Sequence, residues 1–167
     1  AVRLITGIVG AWLFTVGNCD TLAALFFIFS NFLDHFDGEF ARLKNQSSKF
    51  GHYFDLISDL IVTSGTFLCI GIGIANGTDS EWAIAMGMVS GFSIVVIFQI
   101  RHIIESKHGK KEAAQPSVLG FEAEDILYLL PLVTLCNQLE TFLMLASLGA
   151  PVAAIIVLVQ FIKYYKL

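Results

Sequence analysis

The sequence predicts an all-α fold: an integral membrane bundle of six transmembrane helices that forms one domain over residues 1–167. Three observations support this prediction. Hydrophobic residues make up 56% of the chain and charged residues only 14%, and the mean hydropathy of +0.74 exceeds that of soluble domains. Long apolar runs recur between short polar breaks, and the basic residues are confined to alternate breaks and to the ends of the chain.

Six apolar runs are the predicted spans, taken in order along the chain. A break at 17–20 separates the first run from the second, and a longer charged stretch separates the second from the third. The break at 75–81 follows the third run, the linker 106–120 follows the fourth, and the break at 137–140 precedes the sixth. The runs themselves are 4–17, 20–33, 54–75, 82–100, 126–136 and 141–162.

Several of these runs are shorter than the roughly 20 apolar residues that a helix needs to cross a bilayer. Their polar ends are therefore expected to reach the interface or an internal cavity, and the limits of the first and fifth runs are the least well defined. Pro131 predicts a kink or the start of a broken stretch in the fifth run, because proline lacks an amide hydrogen. A strand barrel is disfavoured, since the runs lack alternating polar residues.

All ten basic residues fall on one side of a six-span topology, whereas the opposite breaks contain acids and no Lys or Arg. By the positive-inside rule the basic side is cytoplasmic and carries both termini. These residues border a membrane instead of forming a groove, so no nucleic-acid partner is expected. The chain starts at Ala1 rather than Met, and we expect a trimmed start. The ten residues are Arg3, Arg42, Lys44, Lys49, Arg101, Lys107, Lys110, Lys111, Lys163 and Lys166.

Four aspartates lie within 26 residues at the predicted cytoplasmic end. Asp34 and Asp37 are three positions apart and Asp55 and Asp59 are four apart, so each pair shares one face of a helix. Carboxylates near hydrocarbon cost several kcal/mol unless they are paired, solvated or coordinated. Oxygen ligands suit hard cations such as Mg²⁺ or Mn²⁺, and four negative charges can hold two of them. Because two-metal sites clamp phosphates, the spacing indicates phosphoryl chemistry.

Small residues accompany the aspartates. Gly38 lies one turn beyond Asp34 and three positions before Ala41, which would let a flat group approach that helix closely. Close helix packing explains the two small residues equally well and is the preferred interpretation when they are taken alone. Gly51 lies one turn before Asp55, where it would let the two helices approach each other near the metals.

The pattern Asp34-x2-Asp37-Gly38-x2-Ala41-Arg42-x8-Gly51-x3-Asp55-x3-Asp59 resembles the complete signature of the CDP-alcohol phosphotransferases, with all eight fixed positions at the family spacing. The resemblance implies a membrane enzyme, active as a homodimer, that moves a phosphoalcohol group from a CDP-linked donor to an acceptor hydroxyl and releases CMP. It implies that the aspartates ligate two divalent cations, Mg²⁺ with Mn²⁺ as the alternative, and that Asp59 is also the base. It assigns nucleotide and diphosphate binding to Gly38, Ala41, Arg42 and Gly51.

The lipid can be either the donor or the acceptor in this reaction. CDP-diacylglycerol can give a phosphatidyl group to a polar alcohol, or a CDP-linked headgroup can react with diacylglycerol. We favour the first, because a short chain of this kind resembles the phosphatidyltransferase branch. A cation transporter is the remaining alternative, since acids within a membrane also mark cation pathways. The confinement of the aspartates to one end of the bundle argues against a transport route.

Three residues outside the signature are candidates for binding the acceptor. Arg101 ends the fourth run, and Glu124 and Asp125 precede the fifth, all on the predicted reaction side. Each also has a structural explanation: basic residues beside a span determine topology, and acids at a helix start interact favourably with the helix dipole.

Overall fold

The structure, a computed structural model, describes residues 2–43, 49–78, 80–108 and 127–165. Side chains are described over the same ranges except at positions 34, 35, 37–43, 49, 50, 52, 105, 108, 164 and 165. These described residues are helical apart from short turns, which confirms the all-α prediction for this part of the chain. The helices are α1 (Val2–Val16), α2 (Asp20–Leu43), α3 (Lys49–Thr78), α4 (Glu81–His108), α5 (Leu130–Leu135) and α6 (Leu139–Tyr165).

Three helices in the described ranges are long and apolar enough to cross a membrane: the segments Tyr53–Thr78 of α3, Glu81–Ile104 of α4 and Leu139–Lys163 of α6. The helix α1 and the apolar part of α2, Asp20–Leu33, are shorter. The structure therefore supports a helical membrane protein with three helices of spanning length. A helix lies at the position of each of the six predicted runs.

Two of the predicted limits differ from the observed helices in an informative way. The second run was expected to end at 33 and the third to begin at 54, but α2 continues to Leu43 and α3 begins at Lys49. The aspartate-rich stretch is therefore mostly helical, which keeps its backbone polar groups paired. In the fifth run, α5 has only six residues, and Pro131 is its second residue, where the missing amide costs no helical hydrogen bond.

The first helix packs against both α2 and α3. Gly7 lies at the point of closest approach: a Cβ there would be 2.6 Å from Val62 Cγ2 on α3 and 2.9 Å from Ser30 Oγ on α2. One turn later, a Cβ on Gly10 would be 3.0 Å from Phe26 Cβ of α2. The absence of side chains at these two glycines lets α1 fit between the two helices that carry the aspartates.

Glycines also determine how α3 packs against α4. A Cβ on Gly71 would lie 2.5 Å from the carbonyl oxygen of Ala83, and one on Gly87 would lie 2.5 Å from that of Phe67. Each contact brings one backbone against another, and α4 in turn packs against α6. In lipid, where apolar burial between helices gains little, such close van der Waals contacts contribute much of the association free energy.

The buried core runs between the helices, and its largest fully buried side chains are Phe14, Phe27, Ile70, Leu130 and Leu143. The outer surface is also apolar and includes exposed tryptophan, phenylalanine and leucine side chains. An apolar exterior around a core that contains several hydroxyls is typical of a protein surrounded by lipid. Three of the buried hydroxyls, those of Thr66, Ser90 and Ser93, each donate to the carbonyl oxygen four residues earlier.

Replacing Gly73 by alanine tests the contact between α1 and α3 at the end away from the aspartates. A Cβ on Gly73 would overlap the carbonyl oxygen of Phe14, so Gly73→Ala should lower the free energy of unfolding by about 1–3 kcal/mol through overpacking. Gly65→Ala on the same helix is the matched control. Nothing lies within 4 Å of its Cβ position, so alanine should be neutral or add up to about 1 kcal/mol through helix propensity.

Unfolding of the purified protein in detergent, followed by tryptophan fluorescence, measures both variants. Equal stability of Gly73→Ala and the wild type would show that the two helices do not approach this closely.

Candidate active site

Two of the four aspartates have described side chains, and both project from the first half of α3. Asp55 is exposed, and Asp59, one turn later on the same face, is half-buried with 32% of its side chain accessible. Ser58 and Val62, on the neighbouring face, are buried against the bundle. The helix therefore places its carboxylates at the edge of the core, where a ligand can reach them. We call this end of the bundle, around Asp55 and Asp59, the site end.

The Asp59 carboxylate forms an ion pair with an arginine from the first turn of α1. Nη2 of Arg3 donates a hydrogen bond to Oδ1 of Asp59. Arg3 is only 4% exposed, and a guanidinium at that depth is costly unless an opposite charge is close. The pair brings together residues 56 positions apart in the sequence and joins α1 to α3 at the site end.

The backbone of the same arginine contacts α2. Ser30 Oγ, fully buried, donates to the carbonyl oxygen of Arg3 over 2.8 Å, and Thr6 Oγ1 donates to that oxygen over the same distance. Ser30 lies one turn before Asp34 on α2. Arg3 therefore connects both aspartate-bearing helices, through its side chain to α3 and through its carbonyl oxygen to α2.

The structure describes the backbone of the remaining signature residues and the degree of burial of only one of them. Gly51 is half-buried on α3, one turn before Asp55. The other five lie on the helical backbone of α2, which places Asp34 and Asp37 within one turn of each other, but their side chains are outside the described set. They are Asp34, Asp37, Gly38, Ala41 and Arg42. Among the side chains that are described, no three His, Cys, Asp or Glu residues lie together as a metal site.

Of the three residues predicted to bind the acceptor, the structure describes one. Arg101 is half-buried near the end of α4. Its neighbour His102 contacts the ring of Tyr53 at the start of α3, with centroids 6.1 Å apart, so Arg101 lies at the site end. Glu124 and Asp125 fall outside the described residues.

Arg3 is the residue that sequence reasoning missed, because it was assigned to membrane topology with the other nine basic residues. A signal was available. An arginine followed directly by an apolar helix needs an opposite charge for the same reason as the aspartates do. Nothing in the local pattern, however, indicates which of the acids is its partner.

Comparisons with known proteins agree with the signature. The sequence model of the CDP-alcohol phosphatidyltransferase family matches residues 1–163. A CDP-diacylglycerol–inositol 3-phosphatidyltransferase from Candida albicans is 26% identical over 138 residues, which cover 83% of this chain and 58% of that protein. The chain thus spans somewhat more than half the length of this relative. No solved structure matches it at a significant level.

A double-mutant cycle tests the coupling between Arg3 and Asp59 in metal-free protein. Asp59→Asn should destabilise the fold by about 2–4 kcal/mol, because it removes a charged partner of a buried guanidinium. Arg3→Met should cost less, about 1–2 kcal/mol, because the carboxylate left behind is partly solvated. The double variant should be more stable than the sum of the two losses predicts, by about 1–3 kcal/mol.

Denaturant unfolding in detergent with a chelator present measures all four proteins. Strictly additive losses would mean that the two charges do not interact in the folded state.

Proposed function

Because the chain belongs to the CDP-alcohol phosphatidyltransferase family, we propose that it transfers a phosphatidyl group from CDP-diacylglycerol to an acceptor alcohol and releases CMP. The observation that carries this proposal is the complete eight-residue signature, which lies on α2 and α3 of a chain that the family matches over nearly its whole length. On this proposal the protein is a transferase of substituted phosphate groups, and it acts at a lipid surface.

The assignment of the lipid as donor rests on the relative from Candida albicans, whose name specifies CDP-diacylglycerol as donor and inositol as acceptor. A CDP-linked headgroup reacting with diacylglycerol is the alternative within the same family. We therefore propose a water-soluble polyol as acceptor, with inositol as the first compound to test.

The carboxylates fit hard divalent cations. Asp55 is exposed and Asp59 is partly accessible, so both present oxygen atoms to a ligand at the site end. We propose that Asp34, Asp37, Asp55 and Asp59 together hold two such cations, Mg²⁺ or Mn²⁺. Cations bound there would neutralise charge on the donor diphosphate.

The protein residues have separate roles in the proposed transfer. Asp59 accepts the proton of the acceptor hydroxyl while that oxygen forms a bond to the β-phosphorus of the donor, the phosphorus of the phosphatidyl group. The bond from this phosphorus to the oxygen of CMP breaks, and CMP leaves with the electron pair. Gly38 and Ala41 allow close approach of the nucleotide, and Arg42 pairs with a phosphate or a carboxylate. Gly51 lets the α3 backbone come close to the same group.

The proposed topology has six spans, with the site and both termini on the cytoplasmic side. Support comes from the order of the helices: α3 begins, and α4 and α6 end, near basic residues such as Arg101, Lys107 and Lys163. A homodimer is proposed from family membership alone.

A panel of donors and acceptors tests the proposed reaction. We expect the purified protein in lipid to release CMP from CDP-diacylglycerol only when a polyol acceptor and Mg²⁺ or Mn²⁺ are both present, with formation of the matching phosphatidyl lipid. A chelator should abolish the release. Turnover of CDP-choline or CDP-ethanolamine with diacylglycerol instead would reverse the donor assignment. Cation flux without nucleotide turnover would refute the transferase.

Substitution of Asp59 by asparagine tests its role as base. The expected fall in kcat is about 100-fold or more, because an amide cannot accept the proton. Asp55→Asn should also lose activity. It should be less destabilising than Asp59→Asn, since Asp55 is exposed. Glu140→Gln is the matched control, as it makes the same acid-to-amide change at an exposed position at the opposite end of the bundle.

CMP release, measured well below the melting temperature of each variant, separates activity from stability. Wild-type turnover in folded Asp59→Asn would exclude this residue as the base.

A further inference from the structure

We propose that Arg3 is a positioning residue for the transfer reaction: it holds the Asp59 carboxylate in place and ties it to α2 through α1. This inference rests on the proposed function, in which Asp59 is the base. It goes beyond that function by assigning a role to a residue of α1, a helix that contains none of the eight signature positions.

The ion pair engages one particular oxygen of the carboxylate. Arg3 Nη2 donates to Oδ1 of Asp59, so Oδ2 is the oxygen that this hydrogen bond does not use. The two partners also differ in accessibility, since the Arg3 side chain is 5% exposed and that of Asp59 is 32% exposed. A nearly buried, planar donor thus holds a carboxylate that remains partly accessible. In the proposed role, this hydrogen bond restrains the side-chain torsions of Asp59 and leaves Oδ2 as the oxygen that accepts the proton.

Arg3 is itself held in place. Its carbonyl oxygen accepts hydrogen bonds from Ser30 Oγ and Thr6 Oγ1, both over 2.8 Å. One turn later, Gly7 lies against Ser30 of α2 and Val62 of α3, with space for no side chain. The first turns of α1 therefore have a defined position between the two neighbouring helices, and the guanidinium starts from a fixed backbone.

This fixed position links the two pairs of aspartates. Ser30 is one turn before Asp34 on α2, and Val62 is three residues after Asp59 on α3. Both contacts of α1 thus lie within about one helical turn of a proposed ligand. The position of Asp59 relative to α2 is determined by α1, with Arg3 as the polar contact and Gly7 as the apolar one.

A role in stability alone would predict different behaviour. Replacing both members of a buried ion pair by apolar side chains is often neutral or stabilising, so stability alone gives little reason to keep the pair. A positioning role requires a donor that reaches Oδ1, whereas a structural role requires only that the space be filled. The rate of turnover in the folded protein distinguishes the two.

Three variants test the proposal. Arg3→Met fills the space without a donor, and Arg3→Lys retains a positive charge and a donor but lacks the planar fork. Gly73→Ala is the control for destabilisation, because it disturbs the α1–α3 contact 14 residues away from Asp59. Each is assayed as full-length protein in lipid, well below its melting temperature, for kcat, for the KM of CDP-diacylglycerol and for binding of CDP by calorimetry.

We expect Arg3→Met to lower kcat by about 10- to 100-fold, the range seen when a group that orients a metal ligand is removed. The KM of the donor and the Kd of CDP should change less than about threefold, because binding of the nucleotide does not require Oδ1 to be held. Arg3→Lys should recover at least about fivefold of the lost kcat. Gly73→Ala should keep the wild-type kcat.

Wild-type kcat in folded Arg3→Met, or the same loss of kcat in Arg3→Met and Gly73→Ala, would overturn the positioning role while leaving the proposed function intact. A wild-type protein that binds CDP but releases no CMP from any donor would overturn the proposed function, and the positioning role with it.

Discussion

A guanidinium in an apolar interior is costly unless an opposite charge lies beside it, and this constraint joins α1 to α3 at the site end. Most other contacts between the helices are small-residue and van der Waals contacts, which tolerate some sliding along the helix axes. The pairing of Arg3 with Asp59 does not tolerate it, because a hydrogen bond to one carboxylate oxygen is directional. The rotation of α1, and through Ser30 the position of α2, follow from this one contact.

The glycine contacts make that constraint effective. Gly7 lets α1 approach α2 and α3 at the site end, and Gly73 lets α3 approach α1 near the other end. At that other end, the side-chain amide of Asn76 donates to the carbonyl oxygen of Thr15, a second polar link between the same two helices. The helix that carries Asp59 is thus held along its length.

The sequence allowed the helices and the aspartate constellation to be predicted because both depend on local spacing. Apolar runs define helices over 15 or more residues, and carboxylates three or four positions apart share a helical face whatever surrounds them. Pro131 was expected to kink or begin a broken stretch in the fifth run, but the short length of α5 was not predicted. Nor was the pairing of Arg3 with Asp59, because a contact across 56 residues depends on how the helices assemble.

The distance along the chain between these two charges has a consequence for biosynthesis. During translation α1 is made well before the carboxylate that Arg3 pairs with, and an arginine entering lipid without a partner carries a cost of several kcal/mol. Until α3 emerges, the guanidinium can remain solvated only by extending towards the lipid headgroups. Because its partner charge is on α3, α1 can take its final depth in the bundle only once α3 is present.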